Sequence, residues 1–117
     1  MWYHYTNMLE SFHLRSNHKH IELRLRLSLS ILAIIVLTAA LFYRAIEGWS
    51  FINALYFAVS TASTVGYGDL TPTHEISRIF TIVFIILSTT LTLYSISLIA
   101  QKGIIFHMHK KDEEEQK

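Results

Sequence analysis

Two stretches of this chain are apolar well beyond what one buried helix face requires. Leu27–Tyr43 (LSLSILAIIVLTAALFY) has no charge, glycine or proline, and Ile79–Ala100 has no charge at all. Neither shows the two-residue alternation of a half-buried strand or the single stripe of an amphipathic surface helix. A helix apolar all round is either central to a large protein or a membrane span. A chain of 117 residues is too short to bury two such helices on every side. The first run, extended to Glu47, is long enough to span. A second helix started near Glu75 reaches roughly 38 Å, enough to cross with some tilt. A secretory signal fits the first run poorly, because it starts late and no small-residue cleavage pattern follows Tyr43.

Between them lies Trp49–Ser63 (WSFINALYFAVSTAS), apolar and aromatic but too short to span. It suits a re-entrant helix over 50–63, capped by Ser50, with Phe51, Leu55, Phe57, Ala58 and Ala62 as packing positions. The fold class this predicts is an all-α membrane protein. Its parts are an outer helix over 27–47, a short helix over 50–63, a loop over 64–69 and an inner helix over 75–100. Flanking them are an N-terminal segment, 1–26, and a C-terminal tail, 101–117.

Charge orients this arrangement. Residues 1–26 hold Arg15, Lys19, Arg24 and Arg26 against Glu10 and Glu22. Residues 101–111 hold Lys102, Lys110 and Lys111 and no acid, and the middle is nearly balanced. The positive-inside rule then predicts a multi-pass protein of the cell membrane with both termini cytoplasmic. A third full span would put the C-terminal basic patch outside. Arg24 and Arg26 can snorkel to lipid headgroups. In the N-terminal segment, Trp2, Tyr3, Tyr5, Met8, Leu9 and Phe12 suit one side of an interfacial helix, and a loosely ordered tail is the other reading. His13, His18, His20, His107 and His109 lack helical ligand-pair spacing at His18 and His20 and read as surface or headgroup-facing. The final DEEEQK reads as a solvated terminus. With no cysteine, a disulfide framework and a thiolate metal site are excluded. No helix carries an arginine repeat, so a voltage sensor of that type is not expected.

The chemistry sits in Thr64-Val65-Gly66-Tyr67-Gly68-Asp69. Gly66 and Gly68 can take backbone angles closed to residues with a Cβ, which lets neighbouring carbonyls face one way. Thr64 adds a hydroxyl oxygen at the inner end. Val65 and Tyr67 are expected to face away and pack on the short helix. Irregular backbone at this depth is tolerable where it is buried in protein and lines a cavity. TVGYG is the established sequence of potassium filters. With an outer helix, a short helix and an inner helix around it, the chain from Leu27 to about Ala100 resembles the potassium channel family, of the two-transmembrane, pore-only type.

That resemblance implies passive conduction of dehydrated potassium ions through a filter of carbonyls from Thr64, Val65, Gly66, Tyr67 and Gly68. One loop cannot surround an ion, and the chain has a single signature, so the expected assembly is a homotetramer. The partners implied are three further copies, membrane lipids, potassium ions and divalent blockers at an outer mouth marked by Asp69. No enzyme activity, cofactor or nucleic acid is expected. A cation channel of weak selectivity and a non-conducting accessory subunit are the rival readings.

Four positions depart from the pattern common among relatives. Ser60 stands where many have a glutamate that holds the aspartate after the filter, so Asp69 is expected to lack that partner. Tyr56 and Phe57 stand where many have two tryptophans. With Ser60 and Thr61 they form the expected filter support, Tyr56 being the candidate donor to Tyr67. Ser88 stands where a hinge glycine is common. Ser88, Thr89 and Thr90 either line a cavity and allow a bend or bond to their own helix. Further down, Ile96, Ile99 and Ala100 are the gate candidates, through dewetting.

Overall fold

The structure, a computed structural model, describes residues 2–115; the side chains of 2–7, 9–18, 109, 112 and 113 are not described. The readings placed on the side chains of Trp2, Tyr3, Tyr5, Leu9, Phe12, His13, His18 and His109 lie outside the described residues. Three helices follow in order: α1, Trp2–Glu47; α2, Phe51–Ala62; and α3, Glu75–Glu115. Within α1 and α3, Lys19–Glu47 and Glu75–Met108 are long and apolar enough to cross a membrane, whereas the 12-residue α2 is not. The helices outrun the apolar runs that predict them. Backbone helix continues through 2–26 at one end and 101–115 at the other.

The chain divides into two units by its contacts, residues 28–95 and the described parts of 1–27 with 96–117. In the first, the core joins Ala39, Ala40 and Tyr43 of α1 to Ala54, Phe57, Ala58 and Ala62 of α2 and Phe84 of α3. Five of these eight are alanines. In hydrocarbon, helices gain nothing by hiding apolar surface from lipid, so association depends on close packing, which small residues permit. Aromatic rings fill the rest. Tyr43 meets Phe57 edge-on at 4.9 Å and Phe80 at 5.6 Å, and it lies 5.9 Å from Trp49. Phe42 stacks on Phe80 at 4.0 Å. The Tyr43 hydroxyl shares a 2.7 Å hydrogen bond with Thr81 Oγ1, which itself donates to the Ser77 carbonyl.

The helix ends follow local chemistry. Gly48 takes φ +71° just past α1, the left-handed stop that glycine allows. Ser50 caps α2 as its sequence predicts, its Oγ accepting from the Asn53 N–H at 3.2 Å. The start of α3 is capped from a distance by Glu47. Its carboxylate accepts the N–H groups of Thr73 (3.1 Å) and His74 (3.0 Å) and the Thr73 hydroxyl (2.7 Å). In the second unit, Ile21 of α1 and Leu98 of α3 are buried, and Lys102 Nζ lies 2.9 Å from Glu22 Oε1.

Candidate functional site

The loop that leaves α2 carries every left-handed non-glycine residue of the described chain, namely one, Thr64 at φ +64°. Gly66 and Gly68 follow at +54° and +77°, while Val65 and Tyr67 between them stay negative. The sign of φ therefore alternates through five residues. Alternation of this kind makes successive N–H groups converge on one side, as in an anion-binding nest.

Here the convergence point is a carbonyl. The N–H groups of Val65 and Gly66 both donate to the Ser60 carbonyl oxygen at 3.0 Å. The peptides are trans, so each C=O points opposite to its own N–H. The Thr64 and Val65 carbonyls, which belong to those two peptides, consequently point away from Ser60 and α2. The Thr64 N–H is held separately by the Thr61 carbonyl at 3.0 Å, and the Ser63 N–H by Val59 at 2.9 Å. Two of the expected support residues, Ser60 and Thr61, thus meet the loop through their backbones. The Ser60 hydroxyl turns back to the Phe57 carbonyl at 3.0 Å.

The aromatic pair divides its work differently from the sequence expectation. Tyr56 stacks on Tyr67, with ring centroids 5.8 Å apart and planes 8° from parallel. The two rings stack rather than hydrogen-bond, and desolvation, followed by the nearby Asp69 carboxylate, raises the Tyr56 phenol above its ordinary pKa. Phe57 faces the other way, into the core against Tyr43 and Trp49, and does not reach the loop. Val65 and Tyr67 line a cavity of about 450 Å³ with Ile52, Leu55, Tyr56, Val59, Ser60 and Ser63, which places both side chains on the α2 side, as expected. They remain 55% and 67% exposed.

Along α3, Ser88 is fully buried and donates to the Phe84 carbonyl at 2.7 Å, and Thr90 donates to Ile86 at 2.7 Å. Both hydroxyls bond to their own helix, the second of the two sequence readings. Thr89 is half-buried. Ile96, Ile99 and Ala100 are all exposed on the single chain. A residue outside the predicted set joins the inner helix to the site: Thr92 Oγ1 donates to the Ala62 carbonyl, at the end of α2, at 2.9 Å. A second is Glu47, whose side chain is only 1% exposed. His74 Nδ1 lies 3.2 Å from Glu47 Oε2 and 3.3 Å from Thr73 Oγ1. Because the Thr73 hydroxyl proton goes to Glu47, that ring nitrogen must carry hydrogen. Among the described residues there is no cluster of three metal-ligating side chains.

Comparison with known proteins places this arrangement. The profile of a family described as ion channel matches residues 30–104, which hold most of the first apolar run, all of the second, α2 and the loop. The chain is 40% identical over 73 residues to "Probable potassium channel protein 2" of Methanocaldococcus jannaschii, covering 62% of this chain and 21% of that protein. It is 36% identical over 105 residues to the "Voltage-gated potassium channel Kch" of Escherichia coli, covering 71% and 25%. The chain thus spans about a quarter of the length of these curated relatives. Among solved structures, a calcium-activated cation channel from Tsukamurella paurometabola superposes with a TM-score of 0.57 at 40% identity, over 63% of this chain and 72% of that one. Its helices, its loop and this similarity together make the chain a member of the ion channel family, with two membrane-spanning helices.

Proposed function

We propose that the chain is one of four identical subunits of a potassium-selective channel, with α2 as the pore helix and residues 64–68 as one quarter of the selectivity filter. The observation that carries this reading is the shared Ser60 acceptor. With two successive N–H groups fixed on it, the Thr64 and Val65 carbonyls are free on the opposite side. The alternating φ values extend the same logic to Gly66, Tyr67 and Gly68. Four such loops around an axis would replace the hydration shell of a potassium ion with carbonyl oxygens, joined by the Thr64 hydroxyls. Asp69 marks the outer mouth, where four carboxylates would concentrate cations and attract divalent blockers. The ends of four α2 helices, partially negative, would favour a cation below the filter. Both termini are cytoplasmic on the charge pattern of the flanks. Potassium is the permeant ligand, and no cofactor takes part. Gating falls to the lower inner helix, with Ile96, Ile99 and Ala100 as its constriction.

The test is the reversal potential of purified protein in planar bilayers under a potassium-to-sodium gradient. The expected value lies close to the potassium equilibrium potential. Robust current reversing near zero would overturn selectivity and leave a general cation pore, the reading that the name of the Tsukamurella channel favours.

A further inference from the structure

The second unit holds a polar cavity of about 260 Å³ that conduction does not use. Its lining is His20, Ile21 and Arg24 of α1 with Leu98 and Gln101 of α3. Helical geometry explains the set. Ile21 and Leu98 are buried and form the seam between the two helices. His20 and Arg24 are four apart, so they share one flank of that seam, and Gln101 borders the same flank from α3. Glu22 falls on the other flank, where Lys102 pairs with it at 2.9 Å. The acid nearest the cavity is thereby turned aside and neutralised. Among the described residues, His20, Arg24 and Gln101 have no hydrogen-bond or ion-pair partner. Three side chains with unused N–H donors thus converge over an apolar floor.

We propose that this cavity binds the phosphate of an anionic membrane lipid. Arg24 offers a planar fork that matches two phosphate oxygens at once. The Gln101 amide and the His20 ring supply further donors. The depth fits a headgroup. Arg24 precedes the first uncharged run by three residues, and Gln101 directly follows the second. Basic pockets between helices at this level are suited to anionic headgroups. The level of the cavity, beside the ends of both apolar runs, favours a lipid phosphate over a free phosphate ion. A lipid held there would bridge the two helices immediately beyond Ala100.

The test measures association of spin-labelled phosphatidylglycerol and phosphatidylcholine with the full chain in phosphatidylcholine nanodiscs. It reads lipid contact rather than current, so its failure is distinct from failure of the channel reading. The wild type should prefer the anionic lipid, and Arg24→Gln should lower that preference about fivefold. Arg24→Lys, which keeps the charge and loses the fork, should fall between them. Lys19→Gln removes the same charge from the same helix outside the cavity and should retain most of the preference. Equal losses in Arg24→Gln and Lys19→Gln would mean diffuse attraction and overturn the site, as would absence of any preference in the wild type. Inorganic phosphate titrated into phosphatidylcholine nanodiscs should show no saturable binding. Saturable binding that Arg24→Gln abolishes would make the cavity a soluble-anion site and overturn the lipid assignment. Gel filtration and circular dichroism of each variant establish that it is folded.

Discussion

Thr64 concentrates the physics of the site in one residue. A residue with a Cβ in the left-handed region costs roughly 1–2 kcal/mol, and the structure accepts this cost between two fixed points. One is the Thr61 carbonyl that takes its N–H, and the other is the Ser60 carbonyl that takes the next two. The glycines at 66 and 68 reach the same region without that cost. Ser60 illustrates how a side-chain comparison can mislead. Its hydroxyl is occupied by its own helix, and its carbonyl does the holding. Thr92 is the complementary residue on α3. Replacing it with valine preserves shape and removes the bond to the Ala62 carbonyl. The expected loss is about 1 kcal/mol, seen as a lower Tm, with Thr92→Ser close to wild type. If Thr92→Val melts with the wild type, the bond contributes nothing net.

At the scale of elements, the short helix is held by three devices of different range. Ser50 caps it locally, the alanines let α1 approach it, and Thr92 meets its far end. The inner helix is started by a residue 27 positions upstream of its cap, since Glu47 accepts the His74 N–H. A buried carboxylate that holds two backbone donors and a hydroxyl acts as a long-range N-cap and ties the end of α1 to the start of α3. Glu47→Ala should therefore cost about 1 kcal/mol or more in thermal stability. Glu75→Gln, an exposed change in the first turn of α3, should cost much less. Equal effects of the two would show that the cap is not what matters and that only local charge is.

For the whole molecule, the single chain leaves much apolar surface uncovered. Tyr67, Val65, Ile52 and Val59 are exposed beside the loop, and Ile79, Ile82, Val83, Ile86 and Leu87 along α3. Lipid accounts for part of this surface and neighbouring copies, on the proposed tetramer, for the rest. That assembly has a thermodynamic signature. An ion bound only by the folded assembly stabilises it in proportion to the logarithm of its concentration, about 1.4 kcal/mol per tenfold once the site saturates. The Tm of the detergent-solubilised protein should rise steadily with potassium and much less with sodium at equal ionic strength. Identical curves for the two salts would speak against a potassium site. The sequence by itself determined the two spans, the short helix between them, the Ser50 cap and the loop of irregular backbone. Each of these is a local matter of apolar length, capping chemistry and glycine placement. It did not reveal Thr92, Glu47 or the approach of Tyr56 to Asp69, and it gave Phe57, rightly a packing position, a second place in the filter support, whereas its ring belongs to the core. Those contacts join residues from 13 to 30 positions apart, or depend on which way a helix is rotated about its axis. Only the packed tertiary structure decides that rotation, because a helix as uniformly apolar as these gives little sign of which face meets protein and which meets lipid.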